Sequence, residues 1–268
     1  MLREITLGQY YPVDSFIHRL DPRVKLAGTF LFLIALFVVN SWTAYGLLSL
    51  ILWGFILLSK VPFSFMVRGL KSVVFLLLLS VSFNLFLTPG EVILQLSFLK
   101  MTKEGLQVAS MMAFRLVMLV LSSSILTLTT TPNSLTDGME KGLGIFKLFH
   151  FPVHEIAMMM SIALRFIPIL VEETDKIMKA QMARGADFES GSIFDRAKAM
   201  VPILVPLFVS AFRRAYDLAM AMEARCYQGG EGRTKMKPLR YTGADYLSYL
   251  VLFLILGLAI GSRFISLP

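Results

Sequence analysis

Residues 24–59 read VKLAGTFLFLIALFVVNSWTAYGLLSLILWGFILLS, which is two long apolar runs joined by Asn40-Ser41-Trp42. Each run, 24–39 and 43–59, approaches the roughly 20 apolar residues that cross a bilayer as a helix. Hydrocarbon offers no hydrogen-bond partners to the backbone, so such runs satisfy their own N–H and C=O groups by forming helices. The stretch therefore predicts two membrane helices with a tight turn between them.

The rest of the chain repeats this apolar character. Three further runs cover 69–87, 106–130 and 246–262. The composition agrees, because 56% of the residues are hydrophobic and only 16% are charged, whereas soluble domains carry about 25% charged residues. We therefore expect an all-α integral membrane protein with about five transmembrane helices.

The distribution of Lys and Arg orients these helices. Of the 26 basic residues, fifteen lie in 131–243, four lie within residues 1–25, and none lies in the 40–42 turn. Cytoplasmic segments carry an excess of basic residues, so the N-terminus and 131–243 are expected in the cytoplasm and the C-terminus outside. The net charge of +8 is spread along the chain, without the Lys/Arg tract of a nucleic-acid site.

These observations divide the chain into three parts. Residues 1–130 hold an N-terminal segment and four transmembrane helices, 131–243 form a cytoplasmic helical domain, and 244–268 form the last transmembrane helix. Thr131 before Pro132 has the capping pattern of a helix start. Two long helices follow, the first kinked or broken near Pro168. The apolar stretch of the second helix, 201–212, is too short to span.

Both long helices end in the same dipeptide, in Ala183-Arg184-Gly185 and Ala224-Arg225-Cys226. One interpretation is ordinary helix termination, since Arg complements the helix dipole and Gly caps the last turn. The other is a binding tip: a narrow Ala leaves room, and the five-donor fork of Arg reaches a carboxylate in a groove of a cytosolic partner. The repetition favours the second interpretation.

Charges further back along these helices are complementary. With the helices aligned on their terminal Arg, so that they share an end, Glu172-Glu173 falls on Arg213-Arg214. That level is roughly 17 Å behind the tips at about 1.5 Å per residue. A crossing of the helices there would pair the charges, whereas isolated exposed charges would simply be solvated.

Methionines are concentrated in the same helices. They either fill a core or provide an adaptable apolar surface that accepts different partners. Their clustering in a segment expected to face water favours an adaptable surface, made of Met158, Met159, Met160, Met178, Met182, Met220 and Met222.

Signatures of catalysis are weak. The stretch HEIAM (154–158) has Met where a zinc protease has its second His, and His150 and His154 lack an obvious third metal ligand. The sequence contains no G-x-x-x-x-G-K-[ST] phosphate loop and no G-x-S-x-G motif. Arg115, inside the fourth apolar run, is interpreted as a contact between helices rather than a substrate ligand. We expect no enzymatic activity, cofactor or metal.

Four stretches carry a resemblance to a known family: DSFIHRLDPRVKL (14–26), TLTTTPNSL (127–135), ALRFIPILVEETDKIMKAQMARG (163–185) and RRAYDLAMAMEARCY (213–227). They resemble the transmembrane T component of energy-coupling factor transporters, an ABC-type importer class, nearly from end to end. Cys226 departs from this pattern, because family members often have Gly or Ser after the Arg.

The resemblance implies a function. Such proteins join two ABC-type ATPase subunits to a membrane-embedded S component, which binds a vitamin or metal ion. It implies that 131–243 is a coupling domain whose Ala-Arg tips dock one in each ATPase. Arg165, Pro168, Glu172 and Gln181 also match the pattern, as structural members of the coupling helices.

Other function classes stay open as alternatives. A stand-alone secondary transporter would need a substrate site among broken spans and, usually, repeated spans; the sequence shows neither. A membrane-embedded hydrolase would need a nucleophile or a set of metal ligands.

Overall fold

The fold is a series of long helices with one β-hairpin. The computed structural model describes residues 10–96, 99–142, 144, 152–188, 192–229 and 238–264. In chain order these residues form α1 (Phe16–Arg19), α2 (Pro22–Val38), α3 (Trp42–Ser59), α4 (Phe63–Leu87), β1 (Val92–Leu96), β2 (Leu99–Thr102), α5 (Lys103–Thr129), α6 (Pro132–Gly142), α7 (Val153–Ala183), α8 (Ile193–Glu223) and α9 (Gly243–Phe264).

Helices α2 and α3 form the predicted hairpin. Helix α2 begins with Pro22 in its first turn, and the carboxylate of Asp21 accepts a hydrogen bond from the backbone N–H of Arg23, an arrangement that satisfies one free donor at a helix start. Both helices bury one face in a core shared with α5 and α9. Its buried members are Phe32, Ala35, Leu36, Val39, Ala44, Tyr45, Leu48, Leu52, Ile56, Val61, Met66, Met118, Leu128, Ile255 and Ala259.

A short antiparallel hairpin separates α4 from α5 and was not predicted. Strand β1 pairs with β2, with Leu96 opposite Leu99. Thr102 ends β2 and caps α5, because its hydroxyl accepts a hydrogen bond from the N–H of Gly105. A Cβ at Gly105 would lie 3.0 Å from the carbonyl oxygen of Leu85, so only glycine allows α4 and α5 to approach this closely here.

The chain divides into two compact units. One unit is Gly8–Met139 together with Leu239–Pro268, and the other contains Glu140–Pro238. Most of α6 belongs to the first unit, because a Cβ at Gly138 would lie 2.9 Å from Cβ of Pro22. The start of the second unit is therefore nine residues later than the domain start predicted at residue 131.

Arg115 connects α5 to the turn between α2 and α3. Its Nε donates to the hydroxyl of Tyr45 at 2.7 Å, and its Nη2 donates to the carbonyl oxygen of Val39 at 3.2 Å. Asn40 Oδ1 lies 3.4 Å from the same nitrogen. These bonds make Arg115 a contact between helices, as the sequence analysis favoured.

The chain is an integral membrane protein built of helices. Among the described residues, five helices are long and apolar enough to cross a membrane, and the bent helix α4 would make a sixth. The outward faces support this environment, since Leu50, Phe75 and Leu87 are all more than two-thirds exposed. Apolar surface of this extent is untypical of a soluble monomer.

The qualifying helices differ in part from those predicted. Helices α3, α5 and α9 correspond to predicted spans, whereas α7 and residues Lys198–Glu223 of α8 also qualify by length and composition. Helix α2 has 17 residues, at the lower limit of a spanning helix. The expectation that α8 is too short counted only its uninterrupted apolar stretch, whereas the helix carries apolar side chains well beyond it on one face.

Candidate coupling surface

Helices α7 and α8 each run for 31 residues without a break. The break allowed for near Pro168 is absent, and α8 likewise continues through Pro202 and Pro206. A proline in a helix leaves the carbonyl four residues earlier without its usual partner. In α8 the carbonyl of Pro202 loses its partner in this way, because residue 206 is also proline. The side-chain amide of Gln181 on α7 donates to it at 3.4 Å.

Helix α7 ends in a Schellman motif. The N–H of Ala186 donates to the carbonyl of Gln181 at 3.0 Å, and the N–H of Gly185 donates to the carbonyl of Met182 at 2.9 Å. Gly185 has φ +87°, the left-handed conformation that this termination requires and that glycine adopts without strain. Arg184 is the last residue before the reversal of the chain.

Helix α8 ends in the same motif. The N–H of Tyr227 donates to the carbonyl of Met222 at 3.1 Å, and the N–H of Cys226 donates to the carbonyl of Glu223 at 2.8 Å. Cys226 adopts φ +56°, so a side chain with a Cβ occupies the position that Gly185 holds at the other tip. The two Ala-Arg dipeptides are therefore structurally equivalent.

Both tip arginines extend into open space. Ala183, Arg184 and Gly185 are exposed, and so are Ala224, Arg225 and Cys226. Within the described part of the chain, neither guanidinium has a hydrogen-bond or ion-pair partner. All five N–H donors of each guanidinium are thus without a partner among the described residues.

The predicted crossing of charges is present in one of its two pairs. The Nη2 and Nε atoms of Arg214 donate to Oε2 of Glu173 at 3.0 and 3.2 Å, and the Ser210 hydroxyl donates to Oε1. Glu172 and Arg213 are instead exposed, with no ion pair between them. Because successive helix positions are about 100° apart, only one residue of each doublet faces the neighbouring helix.

Contacts between α7 and α8 show that the two helices run antiparallel. Glu173 meets Ser210 and Arg214, whereas Gln181, further along α7, meets Pro202, further back along α8. The tips are therefore at opposite ends of the pair, and the shared end assumed in the sequence alignment is wrong. From Pro202 to the end of α8 is about 21 residues, or roughly 30 Å.

The methionines of these helices are on the surface rather than in a core. Met159, Met160, Met182 and Met220 are exposed. Met158, Met178 and Met222 are partly exposed. By contrast, the buried Met66 and Met118 belong to the other unit. Filling a core therefore does not explain the cluster.

Helix α8 also presents an apolar face that the sequence analysis did not single out. Its exposed side chains recur every three or four residues: Val201, Leu204, Val205, Phe208, Phe212 and Tyr216. This spacing is that of one helical face, and it is present in the sequence itself. An exposed apolar face of this kind is typical of surfaces that contact a partner or lipid.

A metal site at the histidines has no support in the described residues. His150 lies outside them, and Nδ1 of His154 lies 2.9 Å from Oε1 of Glu140. No group of three or more His, Cys, Asp or Glu side chains in the described chain could hold a metal ion. His154 therefore binds a carboxylate of its own unit.

Comparison with known proteins places these features in a family. The family model "CbiQ: Cobalt transport protein" matches residues 14–236. A protein of Thermosediminibacter oceani named "Energy-coupling factor transporter transmembrane protein EcfT" is 52% identical over 264 residues, covering 98% of this chain and all of that protein. The chain belongs to this family.

Other relatives agree with the assignment to T components. Proteins with the same EcfT name are 51% identical in Clostridium kluyveri, covering 98% of each chain. In Bacillus subtilis the identity is 52%, covering 91% of this chain and 93% of the relative. The protein is thus the transmembrane component of an energy-coupling factor transporter, as the resemblance indicated.

The first T-component motif, residues 14–26, holds the start of the membrane unit together. Ser15 caps α1, and its hydroxyl lies 2.7 Å from Nδ1 of His18. Nε2 of His18 lies 3.0 Å from the carbonyl oxygen of Tyr11, which can only accept, so Nε2 carries the proton. Burial is the main cause that lowers the pKa of His18. The neutral imidazole connects α1 to the preceding segment.

The same motif, together with Tyr11 just before it, contacts the second T-component motif, residues 127–135. The N–H of Tyr11 donates to the carbonyl of Leu128 at 2.9 Å. The ammonium group of Lys25 donates to the carbonyls of His18 at 3.0 Å and Thr129 at 2.9 Å. Thr131 then accepts from the N–H of Ser134 at the start of α6, as its capping pattern predicted.

Asp245 is a structural residue of this T component that sequence reasoning missed. Its Oδ1 accepts from the N–H of Asp21 at 2.8 Å, and its Oδ2 accepts from the N–H and hydroxyl of Thr242, each at 2.7 Å. The carboxylate therefore joins the starts of α2 and α9, 224 residues apart. The available signal in the sequence was that Asp245 directly precedes the apolar run 246–262, although this position does not identify Asp21 as its partner.

Proposed function

We propose that this T component is the non-catalytic coupling subunit of an ATP-driven importer. Its two Ala-Arg tips bind two cytosolic ABC-type ATPase subunits, in which ATP hydrolysis takes place. Its exposed apolar surfaces on α7 and α8 hold a separate S component, embedded in the membrane, that binds a vitamin or metal ion. Movement of the ATPases is transmitted to the S component through α7 and α8.

One observation carries this proposal: the two tips have the same cap geometry and lie at opposite ends of an antiparallel helix pair. A single helix end with an exposed Arg needs no function beyond capping. Two equivalent ends roughly 30 Å apart along α8 match two copies of one kind of partner, each with an acidic groove. The planar guanidinium fork suits bidentate binding of carboxylates.

The proposal requires both tips to be in the cytoplasm. Fifteen of the 26 Lys and Arg residues fall in 131–243, which supports a cytoplasmic location for this segment and for the N-terminus. The same segment carries twelve acidic residues, a polar content that suits contact with water. Residues 131–243 then act as the coupling domain between the membrane helices of 1–130 and 244–268.

Surfaces for the S component lie on the same helices. The exposed methionines of α7 and α8 adapt to different partner shapes because their side chains are flexible and polarisable. The apolar face of α8 adds rigid aromatic contacts at Phe208, Phe212 and Tyr216. A surface of this kind suits a partner that is itself apolar and embedded in the membrane.

The test is co-purification of the ATPases with tip variants of this chain. Removing one partner of a buried, hydrogen-bonded charge pair costs about 2–5 kcal/mol, or roughly thirty- to several-thousand-fold in affinity. Arg184→Glu or Arg225→Glu alone should weaken the complex without abolishing it, because the other tip still holds the partners at high effective concentration. The double variant should lose both ATPases and substrate uptake while still inserting in the membrane.

Arg213→Glu is the matched control, because Arg213 is an exposed arginine on α8 outside the tip. It should leave co-purification unchanged. If the double tip variant retains its ATPases and transports normally, the tips are ordinary helix ends and the proposal is wrong. If an unmodified chain purifies from its native membrane without ATPases, the proposed binding of ATPases at the tips is wrong.

A further inference from the structure

A groove in the membrane unit combines apolar walls with one charged group. It has a volume of about 250 Å³ and is formed by α1, α2, α3, α5 and α9. Among the described residues that line it, Lys25 is the only charged one. The walls are otherwise aliphatic and aromatic side chains, one glycine and four hydroxyl-bearing residues: Thr29, Ser122, Thr129 and Ser248.

The groove runs from one end of the helix bundle towards the interior of the unit. Lys25 lies in the first turn of α2 and Thr129 in the last turn of α5, so both mark the same end. From Lys25 to Phe32, the last lining residue along α2, is seven residues, or about 10 Å. Phe32 and Leu52 line the buried end, whereas Leu58 and Leu247 are more than half exposed at the open end.

Within the described residues the ammonium of Lys25 forms no ion pair, although the carboxylates of Asp21 and Asp245 act on it electrostatically. It has three N–H donors, of which the carbonyls of His18 and Thr129 take two. No carboxylate in the described residues lies within ion-pair distance of Lys25. The nearby Asp21 lies 3.3 Å from Arg23, and Asp245 accepts three hydrogen bonds from other groups. A partly buried, unpaired charge is costly unless a ligand provides the missing partner.

We propose that this groove binds an anionic phospholipid of the cytoplasmic leaflet. The phosphate pairs with Lys25 at headgroup level, and the first part of one acyl chain lies along the apolar walls. Drug-sized ligands usually occupy pockets of roughly 300–1,000 Å³, so a groove of this volume encloses part of a long molecule. The charge of Lys25 favours an anionic lipid over a zwitterionic one, and the depth of the narrow groove favours an acyl chain over an apolar helix of a partner.

The assignment to the cytoplasmic leaflet rests on the proposed orientation of the chain, whereas the preference for an anionic lipid does not depend on that orientation. Helices α2 and α9 begin at the open end of the groove, and α3 and α5 end there. With the N-terminus in the cytoplasm, this end faces the cytoplasmic leaflet. In detergent micelles there are no leaflets, so a binding measurement there tests the lipid site independently of orientation.

The experiment measures lipid retention by the purified full chain. Native mass spectrometry in mixed micelles compares phosphatidylglycerol with phosphatidylcholine of the same acyl chains. The unmodified chain should retain phosphatidylglycerol about tenfold more tightly, in line with a charge-assisted contact. Equal retention of the two lipids would overturn the proposal without any variant.

Three variants then locate the preference. Lys25→Met keeps the aliphatic stem of the side chain but should abolish the preference for phosphatidylglycerol, whereas Lys25→Arg should preserve most of this preference. Lys71→Met removes an exposed lysine outside the groove and should leave the preference unchanged. A purely structural role for Lys25 predicts that Lys25→Met lowers Tm equally in both lipids. The proposal predicts that the extra stabilisation by phosphatidylglycerol disappears. Loss of preference in Lys71→Met to the same degree would show a diffuse surface-charge effect and refute the site.

Discussion

At the residue scale, the tip of α8 contains a local strain that the tip of α7 avoids. Cys226 and Gly185 occupy equivalent positions with positive φ, +56° and +87°. A residue with a Cβ loses about 1–2 kcal/mol in the left-handed region, whereas glycine adopts it freely but has more conformational entropy to lose on folding. The structure thus shows that Cys226 maintains the motif despite its side chain.

Reciprocal substitutions at these positions should have opposite effects. Cys226→Gly is expected to raise the free energy of unfolding by about 0.5–1 kcal/mol, and Gly185→Ala to lower it by about 1 kcal/mol. A Cβ at Gly185 meets nothing within 4 Å, so only backbone strain acts there. Denaturant unfolding of the purified protein measures both. Gly142→Ala, also in open space but without positive φ, is the control and should cause no loss.

At the element scale, the crossing of α7 and α8 depends on Glu173. The carboxylate is bound by Arg214 and Ser210 and is 23% exposed, against 40% for Arg214. This partial burial places the pair between an exposed pair worth about 0.2–1 kcal/mol and a buried one. The pair fixes which faces of the two long helices meet.

A double-mutant cycle tests this contact. Glu173→Arg and Arg214→Glu should each destabilise the protein, and the double reversal should recover about 1 kcal/mol relative to the sum of the single effects. The neighbouring exposed pair, Glu172→Arg with Arg213→Glu, is the matched control and should be additive. Additivity at Glu173 and Arg214 as well would show that the ion pair does not contribute to the crossing.

At the scale of the whole molecule, topology decides whether the tips can meet cytosolic partners. The described chain has an exposed thiol at Cys226 in the segment proposed to be cytoplasmic. The turn between α2 and α3, which contains no Lys or Arg, is proposed to lie outside. Thr43 is exposed at this turn and provides a reporter position.

A membrane-impermeant thiol reagent should therefore distinguish the two sides. In intact cells Cys226 should stay unmodified, and it should react once the membranes are opened. Thr43→Cys in a Cys226→Ala background should react in intact cells. Labelling of Cys226 from outside would reverse the orientation and remove the basis for ATPase binding at the tips.

Much of the architecture is legible in short segments of the sequence. The apolar runs identify the membrane class, Thr131 with Pro132 marks the start of α6, and the two Ala-Arg dipeptides mark the ends of α7 and α8. These properties depend on hydropathy and capping within about twenty residues, so the local sequence contains all the information needed. The pairing of Glu173 with Arg214 was predicted from an alignment that gave the two helices a shared end, so the residues were right although that arrangement was wrong.

Only the tertiary structure decided how these segments meet. The antiparallel course of α7 and α8, which puts the tips at opposite ends, depends on side-chain contacts such as Gln181 with Pro202. The joining of Asp21 to Asp245 spans 224 residues, and the groove beside Lys25 needs five helices at once. Such contacts follow from packing and hydrogen-bond satisfaction among distant residues, and no local pattern specifies which partner a free donor or an apolar face will find.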